Sequence, residues 1–488
     1  MNTFNKKSLY AALAGLSALG TTGVAQAVSV NPDGLGQALI YPYFTVRESA
    51  TGQAYTSLLT VINSTASAKA VKVRFLEGKN SREVLDFNLY LSKKDVWVAA
   101  IVPTATGAAV FTPDLSCTTP KVGATAATAT AFVNYAYTGS AADGADTSLD
   151  RTREGYVEII EMGNIITDPD PASVWTSVTH VSGVPACTGL SDAATSAATV
   201  TGNGGLFGGL TLINVNAGID ASYDAVALDN FSAIPLWSAP GSVLPTLQQV
   251  NPKTSVVTSG TQTFITDWSA IPPNDPADPV TAVLMHNNVY NEFVVETGTA
   301  SGTDWVLTMP TKRFYVPVGP GTNPGRLFMR NFNGNSGSCD DVTLTQFDRE
   351  ERTVTSAVSF SPPPPTGVDS ICWEANVISV NGKNVLGSKN NLNLPTTFEH
   401  GWLALSFTPN AAATAKHMLV GGASTVCTVN VTTPAGSACA AGPTNTTFVG
   451  LPVIGFAVET FANGAVGTPP ILSNYAGQFV HKYTRDIH

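Results

Sequence analysis

KAVKVRFLEGKNSREVLDFNLYL, residues 69–91, decides the fold. Val71, Val73 and Phe75 alternate with Lys72 and Arg74, the period of two that gives each face of a half-buried strand its own side chains. After a turn at Gly78-Lys79-Asn80, Leu85, Phe87, Leu89 and Leu91 fall on one face, with Asp86, Asn88 and Tyr90 on the other. Working outward, Tyr55 to Asn63 is strand-like, and the charged turn Ser92 to Asp95 leads into Val96 to Val102. Strands of this length joined by short turns predict an antiparallel sandwich of immunoglobulin-like type. The Cys…Trp…Cys pattern of antibody domains is absent, so the likeness is one of architecture.

Periodicity weakens from Thr104 to Asp150 and returns at Gly155 to Met162. The second half reads as strands again at Trp305 to Met309, Phe314 to Val318, Val342 to Phe347, Thr353 to Phe360, Trp373 to Val380, Trp402 to Phe407 and Leu451 to Phe461. Between the halves, Pro235, Pro240, Pro245, Pro252, Pro272, Pro273, Pro276 and Pro279 mark a boundary. Asp278-Pro279 opens the one helix predicted, with Ala282, Met285, Val289 and Phe293 on a shared face. The expectation is a mainly β chain of two antiparallel immunoglobulin-like sandwich domains with few short helices. A signal peptide spans 1–27, and an N-terminal β-sandwich domain with a disulfide-stapled insertion spans 28–232. A Pro-rich connection spans 233–279 and a C-terminal β-rich domain 280–488.

The export prediction rests on the first 27 residues: Lys6 and Lys7, an apolar run from Leu9 to Leu19, and Ala25-Gln26-Ala27 as a cleavage site. Charged residues make up 12% of the chain, about half the usual share, and the net charge is −10. That balance disfavours nucleic acid, which needs a basic face. No segment after the signal reaches the apolar length of a membrane helix. Six cysteines in an exported chain predict disulfides, and their spacing pairs neighbours: Cys117 with Cys187, Cys339 with Cys372, Cys427 with Cys439. A metal site would want closer pairs or nearby histidines.

Leu39 to Phe44, Arg153 to Glu158, Asp304-Trp305 with Pro310 to Tyr315, and Phe479 to Tyr483 resemble blocks found in an uncharacterised group of exported, cell-surface proteins of Gram-negative bacteria. The resemblance implies export and a shared fold, and transfers neither activity nor site.

No catalytic, cofactor-binding or metal motif emerges. There is no G-x-S-x-G elbow, and His180, His286, His400, His417, His481 and His488 are dispersed. Glu158 and Glu161, three apart in a strand, point to opposite faces and cannot flank one sugar. Asp348-Arg349-Glu350-Glu351-Arg352 reads as a hairpin tip, and Thr167 to Asp170 and Asn274 to Asp278 as acidic turns, ahead of calcium sites. Tyr41, Tyr43, Phe44, Trp97, Trp305, Phe314, Tyr315 and Trp402 either fill cores or stack on sugars, and a planar exposed set would favour the second. The functional expectation is a secreted or cell-surface structural or adhesive protein, not an enzyme, acting through loops and sheet edges. Its partners would be a cell-surface component or polysaccharide, with self-association by edge pairing. A carbohydrate-binding module or polysaccharide hydrolase is the alternative, followed by an outer-membrane barrel.

Overall fold

The alternation around residues 69–91 builds the centre of a two-sheet sandwich. The computed structural model describes residues 26–49, 52, 54–269, 275–322, 327–355, 360–361, 368–407, 417–428, 438–469 and 471–488. The predicted signal segment up to residue 25, Pro272, Pro273 and Pro362 to Pro365 lie outside the described residues, as do 356–359 of the predicted 353–360 strand. The chain is mainly β, with antiparallel sheets and short helices.

An eight-stranded sheet runs Ser29–Val30, Val226–Asp229, Ala38–Thr45, Glu154–Ile165, Lys69–Glu77, Glu83–Leu91, Cys117–Thr119, with Thr199–Val200 added to the 154–165 strand. Facing it, a seven-stranded sheet runs Ile219–Asp224, Gly209–Asn214, Thr56–Asn63, Val96–Pro103, Ala108–Phe111, Thr130–Ala131, with Leu206–Phe207 beside 56–63. Val71, Val73, Phe75, Phe87 and Leu89 meet Leu59, Val61, Trp97 and Leu210 between them. Each such side chain contributes about 1.5–3 kcal/mol on burial.

The other face of the eight-stranded sheet is covered as well. Ala38, Ile40, Tyr156 and Ile160 join a second core with the helix Asp278–Leu284 and the C-terminal half. Lys72 and Arg74, which alternation sets opposite the first core, are therefore buried instead of solvated. Arg74 donates to Glu83 at 2.7 Å and Glu158 at 2.6 Å, while Lys72 pairs with Asp86 at 2.9 Å. The segment 236–245 lies over this ladder: Lys72 also donates to the Ala239 carbonyl, Asn88 to that of Ser238, and the Gly241 N–H to Asp86.

The second half is another pair of sheets. One runs Thr353–Thr355, Thr343–Asp348, His400–Ser406, Asn288–Val294, Lys482–Thr484; the other runs Asn391–Leu394, Ala375–Val380, Gly302–Thr308, Ile454–Val466, Ile471–Val480. Val289, Phe293, Leu344, Leu403 and Leu405 of the first pack in one core with Trp305, Leu307 and Ile378 of the second.

The stretch 233–279 is more than a connection. Besides the cover just described it supplies the hairpin Thr254–Ser259 and Gln262–Asp267, which joins Ser424–Thr428 and Ala438–Ala441 in a four-stranded sheet. The halves also share packing, with Val306, Phe456 and Val458 entering the first core and the Tyr223 and Phe456 rings stacked at 4.6 Å. Glu154 joins them chemically. Its carboxylate accepts from Tyr43 Oη (2.8 Å) and Arg47 Nε (2.7 Å) of the first half, and from Ser388 Oγ (2.6 Å) and the Lys389 N–H (3.0 Å) of the second.

The predicted helix forms with proline in its first turn and every residue buried, but it stops at Leu284. Met285, Val289 and Phe293 do not continue its face. They enter strands, because Asn288 to Val294, with β-branched and aromatic residues at Val289, Tyr290, Phe293 and Val294, pairs with 400–406 over seven residues, a long-range ladder that overrides helical spacing. Val174–Val178 and Asp192–Ala198 are further short helices. Among the described residues, no helix is long and apolar enough to cross a membrane.

Both flanks of the described chain are bound into this body. Val28 is fully buried and its N–H donates to the Thr254 carbonyl at 2.9 Å. Lys482–Thr484 pairs with 288–290 and Asp486–Ile487 with 448–449. Arg485, between them, turns inward and donates to the carbonyls of Thr258 (3.1 Å) and Val283 (2.7 Å).

The cysteines pair 117–187, 339–372 and 427–439, closing separations of 70, 33 and 12 residues. Loop closure makes the first the strongest restraint on the unfolded chain. Serine at Cys117 and Cys187 is expected to cost about 4 kcal/mol and serine at Cys427 and Cys439 about 3, the order being checked by urea unfolding.

Candidate functional site

Most of the residues nominated from sequence are spent on the fold. Tyr41, Tyr43, Phe44, Trp97 and Trp305 are fully buried, Tyr315 nearly so, and Phe314 packs against the core. Glu158 and Glu161 are both buried, in ion pairs with Arg74 and Lys69, so neither is the solvated acid that an exposed strand would offer. Asp348 closes a hairpin tip by accepting from the N–H groups of Glu350 and Arg352. The histidines stay apart: His180 lies near Asp95, His400 near Glu296, His488 near Asp486, and His417 against Asp340. His286 and His481 are buried and each bonds a backbone carbonyl. Burial holds His481 down to about 4 and His286 well below the usual imidazole range.

Trp402 is the exception, at 40% exposed. Alternation explains it. Leu403 and Leu405 turn into the core, so His400, Trp402, Ala404 and Ser406 face outward. On the neighbouring strands the same rule turns out Thr343, Thr345 and Phe347 on one side, and Asn288, Tyr290 and Glu292 on the other. Register sets Phe347, Trp402 and Glu292 in one row, Thr345, Ala404 and Tyr290 in the next, and Thr343, Ser406 and Asn288 in a third.

The outcome is an aromatic ridge beside a shallow floor. The Phe347 and Trp402 rings are parallel at 4.0 Å with 6° between planes, and Tyr290 leans on the indole from the other strand at 6.3 Å. Gly401 permits that approach, since a Cβ there would lie 2.0 Å from the Phe347 carbonyl oxygen. Ala404, small and flanked by Thr345 and Tyr290, forms the floor. Hydroxyl and amide groups border it: Thr355 Oγ1 donates to Thr345 Oγ1 at 3.1 Å, and Asn288 Nδ2 to Thr484 Oγ1 at 3.0 Å. The Phe347 and Trp402 rings stack on each other instead of lying side by side, so they form a ridge and not the planar set that the sequence reading asked for. Phe347 was legible only as a strand residue, and Tyr290 fell within the predicted helix; their conjunction with Trp402 needs the register.

One acid near this sheet has altered chemistry. Burial, with Glu292 second, pushes the Glu459 carboxyl up to about 7. Glu292 faces outward beside Trp402, whereas Glu459 shares the inward face of Trp305 and Ala457. The 288–294 strand thus runs between the two carboxyls, which opposes their flanking one glycosidic bond. A crevice between the halves, lined by Tyr55, Ile219, Leu386, Val458 and Ala476 among others, has essentially no room even for a water molecule and is no ligand pocket.

Compared with known proteins, the chain matches no family model, no curated relative and no solved structure.

Proposed function

We propose that this chain is an exported, disulfide-stapled structural or adhesive component of the cell exterior, and that it holds a neutral, hydroxyl-rich polymer against the Tyr290, Phe347 and Trp402 ridge. The observation that carries the reading is the exposed indole stacked on Phe347 over a floor of small and hydroxyl-bearing side chains. Aromatic carbon beside hydroxyl and amide groups suits the mixed C–H and O–H surface of a sugar. The three disulfides and low charge support an extracytoplasmic setting. Sheet strands hold the ridge, so it is rigid before contact.

Retention on insoluble neutral polysaccharides is the test. Trp402→Ala is expected to weaken it about 10-fold or more with the fold intact by circular dichroism, since exposed aromatic anchors dominate such contacts. Equal retention of both proteins would overturn the reading. Release of reducing ends would favour the hydrolase alternative.

A further inference from the structure

We propose that Lys69 and Asn203 join spontaneously into an amide crosslink, with Glu161 moving the protons. The first sandwich sets these groups at one end of its interior. Val71, Val73 and Phe75 turn into the core, and the same alternation turns Lys69, the first residue of their strand, inward with them. On the partner strand Val157 and Ile159 lie in that core, and Glu161 follows on the same face. A bulge between Glu161 and Gly163 then inserts one extra residue, so that Asn164 stands opposite Lys69 and shares its face too. Segment 202–204 closes this end. Gly202 lies against the carboxylate, where a Cβ would meet Glu161 Cδ at 2.4 Å, and the N–H groups of Asn203 (3.3 Å) and Gly204 (2.9 Å) donate to it.

The Lys69 Nζ donates to Glu161 Oε1 at 2.5 Å, to Asn203 Oδ1 at 2.5 Å and to Asn164 Oδ1 at 2.9 Å. Lys69 is fully buried and Glu161 nearly so, whereas Asn203 is exposed. Burial pulls the Lys69 ammonium below the usual lysine range, which favours the neutral, nucleophilic amine. Lys72 and Lys312, also buried beside acids, turn instead to the backbone carbonyls of Ala239 and Ser338, whose amides have no ammonia to lose. Lys69 faces primary amides, which have.

Glu161 takes a proton from the ammonium, and rotation about Cε–Nζ turns the freed lone pair onto Asn203 Cγ. The Nζ–Cγ bond forms, Glu161 returns its proton to Asn203 Nδ2, and the Cγ–Nδ2 bond breaks. The leaving ammonia carries off the second proton shed by Nζ, as ammonium, through the exposed side of Asn203. The carboxylate is regenerated, and nothing is oxidised or reduced. The product ties strand 69–77 to the segment that feeds 206–207 of the facing sheet, across 134 positions.

Mass spectrometry of the purified chain, reduced and denatured, tests the bond. The expected mass is about 17 Da below that of the sequence, with trypsin blocked at Lys69 and one linked pair of peptides carrying Lys69 and Asn203. Asn203→Ala, at an exposed position, and Glu161→Gln, which keeps the shape, should each show the full mass of its own sequence while remaining folded by circular dichroism. Succinimide formation at Asn203-Gly204 also sheds ammonia, but it persists in Lys69→Arg, where the crosslink does not form. Full mass in the unaltered protein would overturn the proposal. So would a deficit that survives Lys69→Arg, a linkage mapped to Asn164, or an undiminished crosslink in Glu161→Gln.

Discussion

Alanine in place of Glu154 is expected to lower the unfolding free energy by about 3–5 kcal/mol, the cost of breaking a buried ion pair and stranding its partners. Glu154 is 1% exposed, and its two oxygens take four hydrogen bonds. Removing the carboxylate leaves a phenol, a hydroxyl and a backbone N–H without an acceptor, and Arg47 with Asp150 alone. Two of the donors belong to residues 388–389, so the damage is concentrated where the halves meet. Glu154→Gln keeps the shape and loses the charge, and should cost about half as much. Guanidinium unfolding gives the magnitude, and amide exchange at 383–390 should rise first. A loss below about 1 kcal/mol would show the joint to be apolar packing instead.

Stability should be highest near pH 4 and fall by about 5 kcal/mol between pH 6 and 8. Burial pushes Glu374 up to about 8, Asp278 to about 7, Glu459 to about 7 and Asp304 to about 6. An unfolded chain holds such groups near 4. The folded protein therefore keeps protons that the unfolded chain has released. Their stabilisation is complete below about pH 4 and is lost as the pH rises through 6 to 8. His286 and His481 act in the opposite sense. With their folded values depressed, the unfolded chain binds protons that the folded chain refuses as the pH falls from about 6.5 toward 4. Two histidines offset part of four carboxyls there, and above pH 6.5 they contribute nothing. Glu374→Gln should flatten the alkaline limb most, because that group titrates last. Unfolding curves at pH 5, 6, 7 and 8 check this, and a midpoint that is level or rises with pH would refute it.

Strand class and disulfide pairing were legible because both are local. Val71, Val73 and Phe75 announce their face without help, and each cysteine finds its nearest neighbour in sequence. Coverage was not legible. Lys72 and Arg74 look like a solvated face until 236–245 is laid over them, and that contact spans more than 160 positions. The same distance hid the role of 233–279, whose prolines punctuate it as a linker although its strands pair with 424–428. Helical spacing misled at Met285, Val289 and Phe293, where the ladder with 400–406 decided the outcome. Of eight aromatics weighed as sugar contacts, alternation alone could not single out Trp402. Its neighbours Tyr290 and Phe347 come from strands that only register brings beside it.

The stitching of residues 482–487 has a bearing on biogenesis. These residues complete one sheet, cap another and plug a guanidinium between them, while Val28 docks on a strand more than 220 positions downstream. A chain threaded through a membrane from its amino end delivers 482–487 after everything they fasten. The second half must then wait as an open, adhesive intermediate until its final strands emerge. Under the proposed export, chaperone dependence in the receiving compartment should therefore follow the emergence of this clasp, and truncation before Lys482 should leave a chain that is degraded instead of accumulating.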